Sequence, residues 1–188
     1  MALILIGMVV SSLFSAGTSF VKLIADPNNI LPAITYFLMG SLAGCNFQDL
    51  QVIAIPMVFS FAILLLVSWK LNILSLSEDE ARSLGVNTKL LRAIAIGASA
   101  LMTASAVAVS GQIGWIGLII PHIARKIVGA NTTYSIPVSM FLGAAFLITV
   151  DNVSRTATTA EIPIGILTAF IGAPFFLYLI LKETQHEA

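Results

Sequence analysis

The chain has 188 residues, of which 58% are hydrophobic and 10% charged, with nine Lys and Arg balancing nine Asp and Glu. A net charge of zero offers no bulk field for nucleic acid, and the single Cys45 excludes an intrachain disulfide, leaving that side chain as a small apolar filler. The mean hydropathy of +1.00 and the long apolar runs are the composition of an integral membrane protein.

A bilayer core of about 30 Å takes about 20 helical residues to cross, and the sequence predicts six crossings, at 2–24, 50–69, 90–110, 111–129, 136–156 and 162–182. None of the ten-residue alternation of a membrane barrel occurs, so the fold expected is an all-α polytopic bundle, one membrane domain over 1–188. The first stretch has neither a basic region ahead of it nor a small-residue cleavage site, and reads as a span, not a signal peptide. Within it Gly7, Ser11, Ser15 and Ser19 recur every four residues, with Ser12 and Thr18 beside them. Such a small, weakly polar stripe suits close helix packing or the lining of a pathway for a polar substrate. Next, "ADPNN" breaks the chain, and the apolar residues 30–44 are too few to span, which predicts a helix at the interface or in the mouth of the bundle.

The longest polar interruption is "LSLSEDEARSLGV", Leu74 to Val86. Ser77 and Glu80 are spaced as a capping box, Leu76 and Ala81 as a hydrophobic staple, and Glu78, Asp79 and Glu80 complement the positive end of the helix dipole. Gly85 supplies a left-handed stop from which Val86 can return to Ala81 in a Schellman motif. A helix over 77–85 is too short to hold itself together and must rest on neighbouring structure. It is either a plain connector or a knob for a partner. Ala100, Ala104 and Ala108 on the third span read as packing residues.

The fourth crossing carries Gly111, Gly114, Gly117 and Pro121. As a helix from Gly111 to Ala124 it reaches only about 21 Å and requires tilt, local thinning or partial re-entry. The glycines follow no strand and precede no Lys-Ser/Thr pair, and no phosphate-cradling G-x-x-x-x-G-K-[ST] occurs elsewhere, so ATP hydrolysis by that route is excluded. His122 has only His186 in the C-terminal tail as company, which points to a helix-end or interfacial role and no metal site. Asp151, Arg155 and Glu161 gather at the far end of the fifth span as a snorkelling anchor or local ion pair, and Gly172 with Pro174 permits a kink in the last.

Six crossings sort the basic residues into Lys70, Arg82, Lys89, Arg92, Arg125, Lys126 and Lys182 on one side and Lys22 and Arg155 on the other. That bias places both termini and the 77–85 loop in the cytoplasm. No Asp, Glu, Lys or Arg lies mid-span, which disfavours the alternative of an ATP-independent secondary transporter or channel.

Three segments, "EDEARSLGVNTKLLR", "GQIGWIGLIIPHIAR" and "AEIPIGILTAFIGAPFFLYLILK", with "YFLMGSLAG" and "ADPNN", closely resemble the permease subunits of ATP-binding-cassette importers for iron-siderophores, haem and vitamin B12. The resemblance implies a bacterial inner (plasma) membrane protein with ten helices per subunit, two subunits around a pore, whether homodimer or heterodimer, and a substrate-binding protein outside. It implies no enzyme activity and no cofactor or metal in the chain, with ATP bound by a separate ATPase subunit. The pattern of Glu80, Ala81, Arg82, Leu84 and Gly85 matches the family's helix that docks into the ATPase, so Ser77, Glu78, Asp79 and Ser83 join the expected coupling set. Arg155 matches an external arginine that grips an acidic residue of the binding protein. The stripe from Gly7 to Ser19 becomes a pathway lining, because the family's fifth and tenth helices meet near the dimer axis. The chain begins where the family's fifth helix would be, so its spans correspond to helices five to ten, and a fragment or a truncated, non-functional permease is the corresponding expectation.

Overall fold

A computed structural model describes residues 2–76, 78–158 and 161–187, and every regular element among them is helical. The chain forms two compact units, Met1–Leu38 and Met39–Ala188.

In the first unit, α1 (Ala2–Ile24) is a single uninterrupted helix, and α2 (Ile30–Leu38) follows the break. Asp26 makes the turn: its carboxylate accepts from the Asn28 N–H at 3.2 Å and its carbonyl from the Leu31 N–H at 2.9 Å. At nine residues α2 reaches only about 13 Å, too short to cross, as the sequence predicts.

In the second unit, α3 (Phe47–Leu71) leads through a 3-10 turn (Asn72–Ser75) to the six-residue α4 (Glu78–Ser83) and α5 (Thr88–Ser110). Then come α6 (Ile116–Val128), α7 (Thr132–Thr156) and α8 (Ile164–Glu187). Three of the long helices, α3, α5 and α7, each start on an asparagine. Asn46 accepts from the N–H groups of Gln48 and Asp49 while Asp49 accepts from Asn46, a full capping box, and Asn87 and Asn131 accept from Leu90 and Thr133. These caps set the starts at 47, 88 and 132, ahead of the 50, 90 and 136 that hydropathy suggests.

α3 packs most extensively on α5, and the two run antiparallel, since the Cys45 thiol before α3 donates to the Val109 carbonyl near the end of α5. Leu91, Ala98 and Ser105, seven residues apart, form a buried seam of α5, and Ser60 and Ser68 are the buried residues of α3. Small side chains let helices approach closely where lipid gives no hydrophobic drive. Ala100, Ala104 and Ala108 lie on an exposed face of α5.

Four helical stretches are long and apolar enough to cross a membrane: Ile4–Ile24, Phe47–Ser75, Thr88–Ser110 and Thr132–Thr156. The predicted helix over 111–129 is corrected. Gly111–Trp115 is non-helical and only Ile116–Val128 is helix, 13 residues or about 20 Å. The segment nonetheless traverses the unit: Ser110 at its start accepts from Ser41 beside the beginning of α3, and Asn131 at its finish meets Asn72 at the end of α3. Non-helical backbone at about 3.3 Å per residue covers the distance the short helix does not.

Candidate functional site

The end of the second unit where α3, α6 and α8 finish and α5 and α7 begin carries Lys70, Arg82, Lys89, Arg92, Arg125, Lys126 and Lys182. Arg155 alone among the unit's basic residues belongs to the opposite end. At the basic end α4 projects from between α3 and α5. Its finish is the expected Schellman motif: Gly85 has φ +72°, the Val86 N–H donates to the Ala81 carbonyl at 3.3 Å, and Leu84 donates to Glu80. Ser83 adds a hydroxyl bond to the Glu80 carbonyl at 2.7 Å. Ser77, and with it the capping box, lies outside the described residues, as do the side chains of Glu78, Asp79 and Arg82.

Of the coupling set, Ala81 is corrected from a contact residue to an anchor. It is 1% exposed, held where α4 rests on the 3-10 turn and α5, so no partner can touch it. Leu84, at 61% exposed, is the apolar side chain that α4 offers outward, beside exposed Glu80, Ser83 and Gly85.

Sequence reasoning missed the group that fixes this knob to the bundle. Asn72 Oδ1 accepts from the Thr132 N–H at 2.7 Å and the Thr132 hydroxyl at 2.6 Å, while Asn72 Nδ2 donates to Asn131 Oδ1 at 3.0 Å. One amide therefore ties the end of α3, where the 3-10 turn toward α4 begins, to the N-cap of α7. The signal was two Asn-bearing polar joints, but nothing in the spacing pairs residues sixty positions apart.

At the opposite end Arg155 is bound within its own chain. Its Nε donates to Asp151 Oδ2 at 2.9 Å, its Nη1 lies 3.9 Å from Glu161 Oε1, and its Nη2 donates to the Leu42 carbonyl at 3.5 Å. The Arg155 side chain is still 44% exposed. Beside it, burial first and then Asp49 and Asp151 push the Cys45 thiol above its ordinary value, with Arg155 opposing. Three chain segments cross here through bare backbone: Gly165 donates to the Gly40 carbonyl, and Cβ atoms at Gly40 and Gly165 would stand 2.3 Å from the Gln112 carbonyl oxygen and 2.1 Å from that of Met39. Farther in, Trp115 takes φ +67°, the one non-glycine residue with positive φ among those described, and its Cβ occupies the space a methyl on Gly172 would need. Its ring tilts against Phe176 at 6.2 Å.

Gly7, Ser11, Ser15 and Ser19 are all exposed along one face of α1, and a Cβ at Gly7 would meet nothing within 4 Å. Ser19 donates back to the Ser15 carbonyl, so that hydroxyl is satisfied within the helix. No group of His, Cys, Asp and Glu suited to a metal ion occurs among the described residues.

Residues 1–182 match the FecCD transport family. The chain is 49% identical over 180 residues to the molybdate import system permease protein MolB of Haemophilus influenzae, a match covering 96% of this chain and 53% of that one. It is 40% identical over 178 residues to the cobalamin import system permease protein BtuC of Halobacterium salinarum, covering 95% and 47%. A solved ABC transporter of metal-chelate type in an inward-facing conformation superposes with a TM-score of 0.91 at 49% identity, covering 96% of this chain and 58% of that one. The chain spans about half the length of the curated relatives it matches.

Proposed function

The chain belongs to the FecCD transport family, and on that premise we propose that it is the membrane-spanning permease portion of an ATP-driven importer, coupled to a separate ATPase subunit through α4. The family and the apolar helices make it a multi-pass membrane protein. The observation that carries the coupling role is the shape of α4: Ala81 buried, Leu84 outward, and the stem joined by Asn72 to α7. A push on Leu84 and its exposed neighbours would move a short rigid element seated on α5, and through Asn72 the ends of α3 and α7 together. Rigid helices would carry that displacement to the far end, where the Gly40, Gln112 and Gly165 backbones cross without intervening side chains. ATP binding and hydrolysis would belong to the partner, and this chain would hold neither cofactor nor metal.

By the positive-inside rule the α4 end would face the cytoplasm, with both termini on that side. Arg155, at the outer end, would meet a carboxylate of the substrate-binding protein, its planar fork already steered by Asp151. A second permease subunit would complete the pore, with Gly7, Ser11, Ser15 and Ser19 toward the pathway. The cargo class is a chelated or corrinoid metal such as an iron-siderophore, haem or vitamin B12, to which the identity with a molybdate permease adds a metal oxyanion.

Cross-linking tests the coupling role. In a Cys45→Ser background, Leu84→Cys should capture the ATPase subunit in membranes containing both, and Ile148→Cys, exposed mid-helix in α7, should not. Capture that is absent at Leu84→Cys, or equal at both positions, would show that α4 is a plain connector.

A further inference from the structure

Trp115 stands at the centre of a three-residue turn that a bulky residue rarely adopts. Its φ of +67° and ψ of −35° let the Ile116 N–H donate to the Gly114 carbonyl at 2.8 Å, a γ-turn of the strained hand. Such a conformation persists only where the surroundings hold it. On one side the hold is backbone: the Trp115 carbonyl accepts from the Leu118 and Ile119 N–H groups at 3.0 Å, and the start of the segment is pinned by the Ser41 N–H on the Ser110 carbonyl at 2.9 Å. On the other side it is α8. Gly172 is a buried notch, where a methyl would overlap Trp115 Cβ and stand 2.7 Å from its Cγ and 3.1 Å from Ile119 Cδ1. One turn on, Phe176 meets the indole ring.

α8 is weakest beside that notch. Pro174 has no N–H, so the Phe170 carbonyl lacks its helical donor, and Gly172 between them adds backbone freedom. The half of α8 before this point is anchored, with Ile164 and Thr168 at most 1% exposed and the Gly165 N–H on the Gly40 carbonyl. A bend at 172–174 therefore swings the later half, and Phe176 with it, relative to Trp115. Once the notch and the ring contact part, the constraint on Trp115 is lost and it falls into ordinary backbone. We propose that Trp115 and Gly172 form a strained latch on a hinge in α8, so that the bend of α8 and the turn that opens α6 switch together. The residues of the latch all lie within the second unit. The latch neither requires a bare outer surface nor rests on the permease reading.

The test uses the full chain in nanodiscs, with Trp69→Phe leaving Trp115 as the single tryptophan and 5-fluorotryptophan incorporated for fluorine NMR. In this parent a latched resonance should dominate a minor released one. Gly172→Ala, which fills the notch, should raise the released-to-latched ratio about tenfold. Pro174→Ala restores a hydrogen bond that bending must break, and should lower that ratio about fivefold. One resonance at the same position in parent and variants, or a ratio that both substitutions move in the same direction, overturns the latch. Melting temperature checks the strain without relying on Gly172→Ala to fold. Serine is the better helix cap at ordinary φ and glycine the better residue at positive φ, so Trp115→Gly should melt above Trp115→Ser. The opposite order shows an unstrained turn and overturns the proposal.

Discussion

The local bonding of Arg155 and its proposed docking role can be separated by substitution. The ion pair with Asp151 is solvent-exposed, so Arg155→Ala should leave the melting temperature nearly unchanged, as the loss of exposed ion pairs does. Docking would be far more sensitive: Arg155→Glu sets a carboxylate among Asp151 and Glu161 and should weaken binding-protein affinity at least tenfold in a reconstituted complex, with Arg155→Lys between. Unchanged affinity on charge reversal would return Arg155 to the role of a local anchor. The same carboxylates govern Cys45, whose thiol is pushed up by burial, then Asp49 and Asp151. Since the thiolate is the nucleophile, alkylation of Cys45 by uncharged N-ethylmaleimide should be slow at neutral pH and accelerate only on the alkaline side of an ordinary thiol. Asp151→Asn removes one raising charge and frees Arg155, which lowers, so both changes move the reactive range toward neutral. A rate that falls instead would contradict the arrangement around Cys45.

At the scale of elements, the glycines divide by what surrounds them. A methyl on Gly165 would stand 2.1 Å from the Met39 carbonyl oxygen, and one on Gly172 would overlap Trp115, already held at positive φ. Gly165→Ala and Gly172→Ala should each destabilise by about 1–3 kcal/mol, visible as a lower melting temperature in detergent. Gly7→Ala meets nothing and should be neutral or slightly stabilising. Asn72→Ala removes three hydrogen bonds and should cost about 1–3 kcal/mol while uncoupling ATP hydrolysis from transport more strongly than it unfolds the protein. Hydropathy located the helices, and the chemistry of "SEDEARSLGV" gave the Gly85 stop of α4 correctly, because both are local properties. Helix starts went astray by two to four residues because apolar windows overlook an Asn cap. The path of 111–115 was not legible, since glycine spacing alone cannot distinguish a weak helix from bare backbone crossing other segments. Nor could local chemistry show that Ala81 faces inward or that Asn72 meets Thr132, because both depend on how distant helices pack.

For the whole molecule the distribution of charge and the single cysteine combine into a test of sidedness. Within the second unit the antiparallel helices separate Cys45 and Arg155 at one end from α4 and its basic neighbours at the other by the length of α3, 25 residues or about 37 Å. That exceeds the hydrocarbon thickness, so the two ends emerge in different compartments. Cys45 is exposed and therefore a native reporter of its side. If the basic end is cytoplasmic, a membrane-impermeant maleimide applied to intact spheroplasts at alkaline pH should label Cys45. Leu84→Cys in a Cys45→Ser background should then label only after permeabilisation. The reverse pattern would put α4 outside the cell, beyond reach of any ATPase, and the coupling role would fall with it. Equal labelling of both from outside would mean that the basic end does not hold its side, a failure that would also remove the physical basis for reading Arg155 as the external contact.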